Sequence, residues 1–208
     1  MVNLIQIAPK NAPTFAMSRQ KAAELLGISV DSVAFLLKSR YLPDLDAGRL
    51  IAMANQPWLY TDGDFPVLQQ GASELAPKKM LPARKYIGES AIHSDAECVE
   101  ANQGQWAGFN VDHVLGARFL PVTLRKFPVS VLQIHDVNDD DEERVSFVAT
   151  LAGRVRELGA PKLNYIDPSL SPEDRQIVET LLTSRSTSTV PGPAESSSSR
   201  TPDRQRGR

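Results

Sequence analysis

Between Ser18 and Pro43, SRQKAAELLGISVDSVAFLLKSRYLP, apolar residues recur at intervals of three and four in two short runs that break at Gly27. This spacing predicts two helices joined by a tight turn. Ser18 is placed to cap the first helix, which would bury Ala22, Leu25 and Leu26 on one face. Gly27 follows, at the position past a helix end where the backbone commonly turns to positive φ. Ile28 then plugs the angle between the helices. Ser29 caps the second helix, which should run from about Val30 to Ser39 with Val33, Leu36 and Leu37 inward.

The same periodicity continues unevenly along the chain. Val2 to Ile7 is a short apolar run ahead of a breaker-rich PKNAP, and reads as a strand or a docking arm. After Pro43, Asp46 to Asn55 reads as a third helix stopped by Pro57, which leaves no room for a hairpin wing there. Trp58 to Lys79 is punctuated by Gly63, Pro66, Gly71 and Pro77 and reads as a connection, with Val67 and Leu68 as a short strand inside it.

Further on, Ser94 to Glu97 has the form of a capping box, so a helix should follow to about Asn102 with Gly104 closing it. Asn110 is placed to cap another short helix ending at Gly116. Arg118 to Leu124 and Val129 to Val137 are rich in β-branched residues and predict an antiparallel hairpin around Lys126 to Pro128. In RVSFVATLAGRVREL, Val145, Val148, Leu151, Val155 and Leu158 keep a helical spacing behind the acidic run Asp139 to Glu143, so a helix is expected. A strand is the alternative, since Val145, Phe147, Ala149 and Leu151 alternate. Ser171-Pro172-Glu173-Asp174 opens a last amphipathic helix with Ile177, Val178, Leu181 and Leu182 as its stripe. From Ser184 onward the sequence is rich in Ser, Thr, Pro and Arg and should be disordered, with Arg200, Arg204, Arg206 and Arg208 at its basic end.

The segment from Ser18 to Pro43 resembles the helix-turn-helix of excisionases and MerR-type regulators. Ala22, Ala23, Glu24, Leu25, Leu26, Gly27, Ile28 and Ser29 match its AAELLGVS-like turn, and Val33, Leu36, Leu37, Leu42 and Pro43 match the helix and Leu-Pro that follow. The resemblance implies a helix laid in the major groove of duplex DNA. Ser18, Arg19, Lys21, Lys38 and Arg40 would then meet phosphates, and Ser29, Val30, Asp31, Ser32 and Phe35 would lie toward the bases. Val30, Asp31, Ser32, Ala34 and Phe35 stand where such regulators more often carry arginine or another long polar donor. A helical hairpin serving as a packing unit, its outward apolar residues meeting a protein partner, is the alternative reading.

Composition sharpens this only in part. The 208 residues carry 23 Lys and Arg against 25 Asp and Glu, a net charge of −2, so DNA affinity has to come from a local patch. At 41% hydrophobic residues the chain has the means to bury a core. No apolar run is long enough to span a bilayer and no signal-peptide pattern opens the sequence, so a cytoplasmic protein is expected. Cys98 is the single cysteine, which leaves no disulfide framework and no Cys-pair zinc site, and it reads as a core residue. His93 and Glu97 have helical spacing for a metal, but the capping box accounts for Glu97 without one. Neither Cys98 with His113 or His135, nor His135 beside Asp136, is accompanied by a nucleophile elbow or a phosphate-cradling loop, so no catalytic role, cofactor or metal is assigned. Trp106 and Phe109 read as core aromatics.

The expected architecture is α+β: a helix-turn-helix domain over 1–58, a connection over 59–79, a small α+β domain with a short antiparallel sheet over 80–183, and a disordered basic tail over 184–208. The expected function is double-stranded DNA binding as a homodimer, in transcription regulation or in a phage or other mobile element. A protein partner for the second domain is a further expectation.

Overall fold

The structure is a computed structural model, and it describes residues 15–59, 65–78, 84–107, 110–141, 144–160 and 163–187. The expected arm at Val2 to Ile7, the aromatic Phe109 and residues 188–208 of the tail lie outside the described residues.

Three helices form at the N-terminal end, each started by the cap its sequence offers. Ser18 Oγ accepts from the Lys21 amide at 3.3 Å and opens α1 (Arg19–Leu26); Gly27, at φ 63°, ends it in the left-handed region. Ser29 Oγ accepts from the Ser32 amide at 3.1 Å and opens α2 (Val30–Lys38). Asp46 caps α3 (Ala47–Ala54) through the Arg49 amide. Ala22, Leu26, Val33, Leu36, Leu50 and Met53 are fully buried among these helices and belong to one apolar core that continues without a break into the sheet.

The fold class is α+β, with a larger and more mixed sheet than the sequence suggests. After β1 (Trp58–Leu59), β2 (Leu68–Gln69), β3 (Glu74–Leu75) and β4 (Tyr86–Ile87) come α4 (Asp95–Asn102), β5 (Gly104–Ala107) and α5 (Val111–Ala117). The long strands β6 (Phe119–Leu124), β7 (Phe127–Asp141) and β8 (Arg144–Arg154) follow, then β9 (Tyr165–Ile166), α6 (Pro172–Thr183) and β10 (Arg185–Ser186). The main sheet runs β2-β6-β7-β8-β5, with β9 also on β8; β2 joins β6 in parallel and the other pairs are antiparallel. Gly104, expected to close α4, instead begins β5, and Gln103 takes the cap. The segment expected to be a connection carries three of the short strands.

The expected helix after the acidic run is overturned. Residues 145–158 do not form a helix: Arg144–Arg154 is strand β8, paired along β7, β5 and β9. Both periods were present in this stretch. The long ladder against β7 decides between them, because a strand here satisfies backbone groups on two sides and lets the β-branched residues pack on a pleated surface. Leu151 to Val155 are all buried, so this end of β8 shows no in-and-out alternation to mark it as a strand. The start of the tail is corrected as well. Ser184, Arg185 and Ser186 are buried, and β10 pairs in parallel with β1 through Trp58↔Arg185 and Leu59↔Ser186.

A buried polar cluster fastens the end of α2 to the sheet. Arg154, 0% exposed, donates to the carbonyls of Ser90 (2.9 Å), His93 (2.9 Å) and Ser94 (3.1 Å) and to Asp95 Oδ1 (3.0 Å), and its Nη2 lies 4.0 Å from Glu89 Oε2. Glu89, equally buried, accepts from Tyr41 (2.8 Å), Asn102 (2.5 Å), Cys98 (3.1 Å) and Ser130 (3.4 Å). A buried carboxylate is tolerable only when paired and hydrogen-bonded, and this one has both kinds of partner. Burial, with Glu89 next to it, pushes the thiol of Cys98 and the phenol of Tyr41 well up, so both stay protonated.

His93 sits at the edge of this cluster and gives it a pH dependence. The residue is 3% exposed, and burial foremost holds its pKa below the ordinary 6.5. The unfolded chain therefore binds a proton that the folded chain resists, and stability should fall as pH drops from 7 to 5. Urea midpoints across that range should show the fall for the native chain and a flatter profile for His93→Gln. Parallel profiles for the two proteins would contradict this assignment.

Candidate nucleic-acid interface

The exposed arc of α2 is set by what its other faces must bury. Ser32, Val33 and Leu36 turn into the core, so Val30, Asp31 and Lys38 face outward and Ala34 lies half-buried between them. Val30 keeps 44% of its surface exposed. Acidic Asp31 suits the positive first turn of the helix, and Lys38 suits its last.

The residues singled out from the sequence fall into three groups. Arg19 and Lys21 on α1, with Val30, Asp31, Lys38 and Arg40, are exposed and free to meet a partner. Ser18 and Ser29 are exposed and serve as caps. Ser32 is 9% exposed with its Oγ 2.9 Å from Ser29 Oγ, so a base contact from it would need that bond to open. Phe35 is half-buried, with the Arg125 guanidinium 4.6 Å over its ring.

That arginine belongs to a set that sequence reasoning did not connect with the helices. The β6–β7 hairpin turns at Arg125 and Lys126, with Arg125 at φ 60°, and its tip comes to rest beside the helix-turn-helix. Lys126 Nζ donates to the Gly27 carbonyl at 3.1 Å and lies 5.3 Å over the Trp58 ring. Arg185 of β10 donates to the Leu26 carbonyl and, at 3.3 Å, to the Ala54 carbonyl, and it stacks 4.1 Å over Trp58. Burial draws the Arg185 guanidinium down from its usual range, but a guanidinium keeps its charge at neutral pH. The last carbonyls of a helix carry partial negative charge without intrahelical partners, so cations there are both caps and counter-charges. The sequence placed this turn at Lys126 to Pro128, whereas Phe127 and Pro128 belong to β7 and the turn is Arg125-Lys126. Nothing in the sequence told where that turn would land.

The α1–α2 pair is held in place at its other end by backbone contacts. The Ser39 carbonyl accepts from the Ala91 amide at 3.0 Å and from Ser90 Oγ at 3.2 Å, and the Tyr41 carbonyl accepts from the Leu158 amide at 2.9 Å. Arg49 of α3 pairs with Asp44 at 3.2 Å and with Glu157. The end of α2 is thus fastened to the sheet and the loops beside it. Side chains on such a support keep their positions at small entropic cost when they bind.

The remaining sequence candidates have local partners. His93 Nε2 is 2.8 Å from Ser73 Oγ, and its ring stacks on Tyr86 with centroids 4.5 Å apart. Glu97 accepts from Lys85 at 2.9 Å and from the Ser94 amide at 3.0 Å, the second contact completing the capping box; with Lys85 the larger influence, these hold its pKa down at about 2. His135 Nε2 lies 2.8 Å from Thr150 Oγ1. The Trp106 indole donates to the Asn102 carbonyl at 2.9 Å in the core. Among the described residues no helix is long and apolar enough to cross a membrane. Comparison with family models, curated proteins and solved structures gives no match.

Proposed function

We propose that this chain binds double-stranded DNA through its helix-turn-helix, as a transcription regulator or as a DNA-binding factor of a phage or another mobile element. The observation that carries this reading is the open arc of α2, flanked at Phe35 by the cationic turn of the β6–β7 hairpin. With α2 in the major groove, the Asp31 carboxylate accepts from a cytosine amino group, and Val30 and Ala34 meet thymine methyls. Lys38, Arg40, Arg19 and Lys21 meet phosphates on either side, and Lys126 at the hairpin tip extends that contact beyond the helix pair. Few cations and one helix give weak binding, so the chain acts as a homodimer on two half-sites, where avidity supplies the affinity.

A second reading is a protein-interaction module that presents the same face to a protein. The exposure of Val30 next to Asp31, with Ser32 turned inward, favours it. Selection from a random duplex pool separates the two. The DNA reading expects enriched sites with half-sites about one helical turn apart. Asp31→Ala should then lose preference at one base pair per half-site, by about 1–3 kcal/mol. A pool that stays random after repeated rounds would leave the protein-interaction reading.

A further inference from the structure

A cleft of about 440 Å³ opens between the end of α2 and the β3–β4 pair, and its lining is unevenly charged. Lys38 and Arg40 enter from the helical side, while Ser73, Lys85, Tyr86 and His93 line the other. Glu97 also lines it, but its charge is matched by Lys85 at 2.9 Å. Among the described residues Lys38 and Arg40 have no acidic partner, which leaves two uncompensated cations at one mouth. The floor is incomplete too. His93 uses Nε2 on Ser73, whereas its Nδ1 is buried without a hydrogen-bond partner. Buried polar atoms nearly always have one, and this orphan belongs to a residue of the cleft wall.

We infer that this cleft binds a small phosphate monoester. A dianion neutralises Lys38 and Arg40 together, and a guanidinium and an ammonium both suit phosphate oxygens. The volume is that of a small-molecule site. The site stands on the cleft alone. Its consequence rests on the DNA reading: an occupied cleft draws Lys38 and Arg40 away from backbone phosphates, so the ligand lowers duplex affinity.

Isothermal titration of the full chain with phenyl phosphate, inorganic phosphate and benzoate, at one ionic strength and without DNA, tests the site. Phenyl phosphate should bind saturably at millimolar concentration or better and benzoate much more weakly. Binding should weaken about tenfold or more in Lys38→Ala/Arg40→Ala, exposed positions whose loss leaves the melting temperature in place. Arg175→Ala, an exposed cation on α6, should leave it unchanged. Equal binding of benzoate, no saturable heat, or equal affinity in the Lys38 and Arg40 variant would each overturn the proposal. A short duplex titrated in parallel distinguishes the sources of phosphate. Binding of the duplex without binding of phenyl phosphate would make the cleft a seat for the DNA backbone and refute the small-ligand site, while leaving the DNA reading intact.

Discussion

Arg154→Leu is expected to lower folding stability by about 3–5 kcal/mol, because it leaves a buried carboxylate without its cation. The guanidinium is 0% exposed and lies at the meeting point of β8, the loop from Glu89 to Asp95 and the end of α2. Leucine fills some of the volume, yet the Ser90 carbonyl loses its 2.9 Å donor and the Tyr41 hydroxyl its 3.4 Å one. The His93 carbonyl keeps Arg156 at 2.8 Å, so the loss concentrates on Glu89 and Ser90. Glu89→Gln retains an acceptor for Tyr41 and Asn102 and should cost less. In the double variant the two losses should not add: with no buried charge left to strand, the sum is relieved by about 0.5–3 kcal/mol. Urea unfolding with unchanged m-values reads all three proteins. A loss below about 1 kcal/mol in Arg154→Leu would mean water reaches the cluster and the charge is not buried.

Gly153→Val is expected to destabilise by about 3 kcal/mol, at the upper end of overpacking costs. Gly153 lies on the face of β8 opposite to Arg154, beneath α6, and a bulge at Ala152 turns Leu151 to the other face. A Cβ there would stand 2.5 Å from Val178 Cγ1, 2.9 Å from Leu182 Cδ1 and 3.0 Å from Ile166 Cδ1. Val178 is fully buried and Leu182 nearly so, so the clash is expected to push α6 away from the sheet. That movement would be felt at a distance, since α6 leads straight into Arg185 and its contacts at the helix-turn-helix. Gly153→Ala should cost less, and Val178→Ala placed beside it should restore part of the loss by returning the volume of a methyl group or two. A Gly153→Val protein that melts with the native chain would show that α6 does not pack as described.

The parts of this fold that were legible in the sequence are those fixed by near neighbours. Ser18, Ser29, Asp46, Ser94, Asn110 and Ser171 each cap the helix their spacing suggests, and Gly27 takes the left-handed turn. Such choices depend on three or four residues and on backbone sterics alone. The strand at Arg144–Arg154 was not legible, because its helical and alternating periods coincide and only pairing with β7, distant information for a local pattern, selects between them. Arg185 illustrates the same limit. In a Ser- and Thr-rich context it reads as tail, yet stacking on Trp58 and the orphan carbonyls of Leu26 and Ala54 give it a buried place. For the candidate interface, periodicity placed Val30 and Asp31 outward as found, but it also placed Ser32 outward, which the structure buries, and Ala34 and Phe35, which are half-buried; the approach of Arg125 and Lys126 followed from topology.

The salt dependence of duplex binding bears most directly on the central proposal. Log affinity should fall linearly with log salt, with a slope of about −0.9 for each phosphate neutralised. Lys38→Ala/Arg40→Ala should make that slope shallower by about two per protomer, and Lys126→Ala by about one, since each removed cation releases one fewer counterion. Slopes unchanged in both variants, or no duplex binding at low salt by the native chain, would contradict the assignment of this face to DNA.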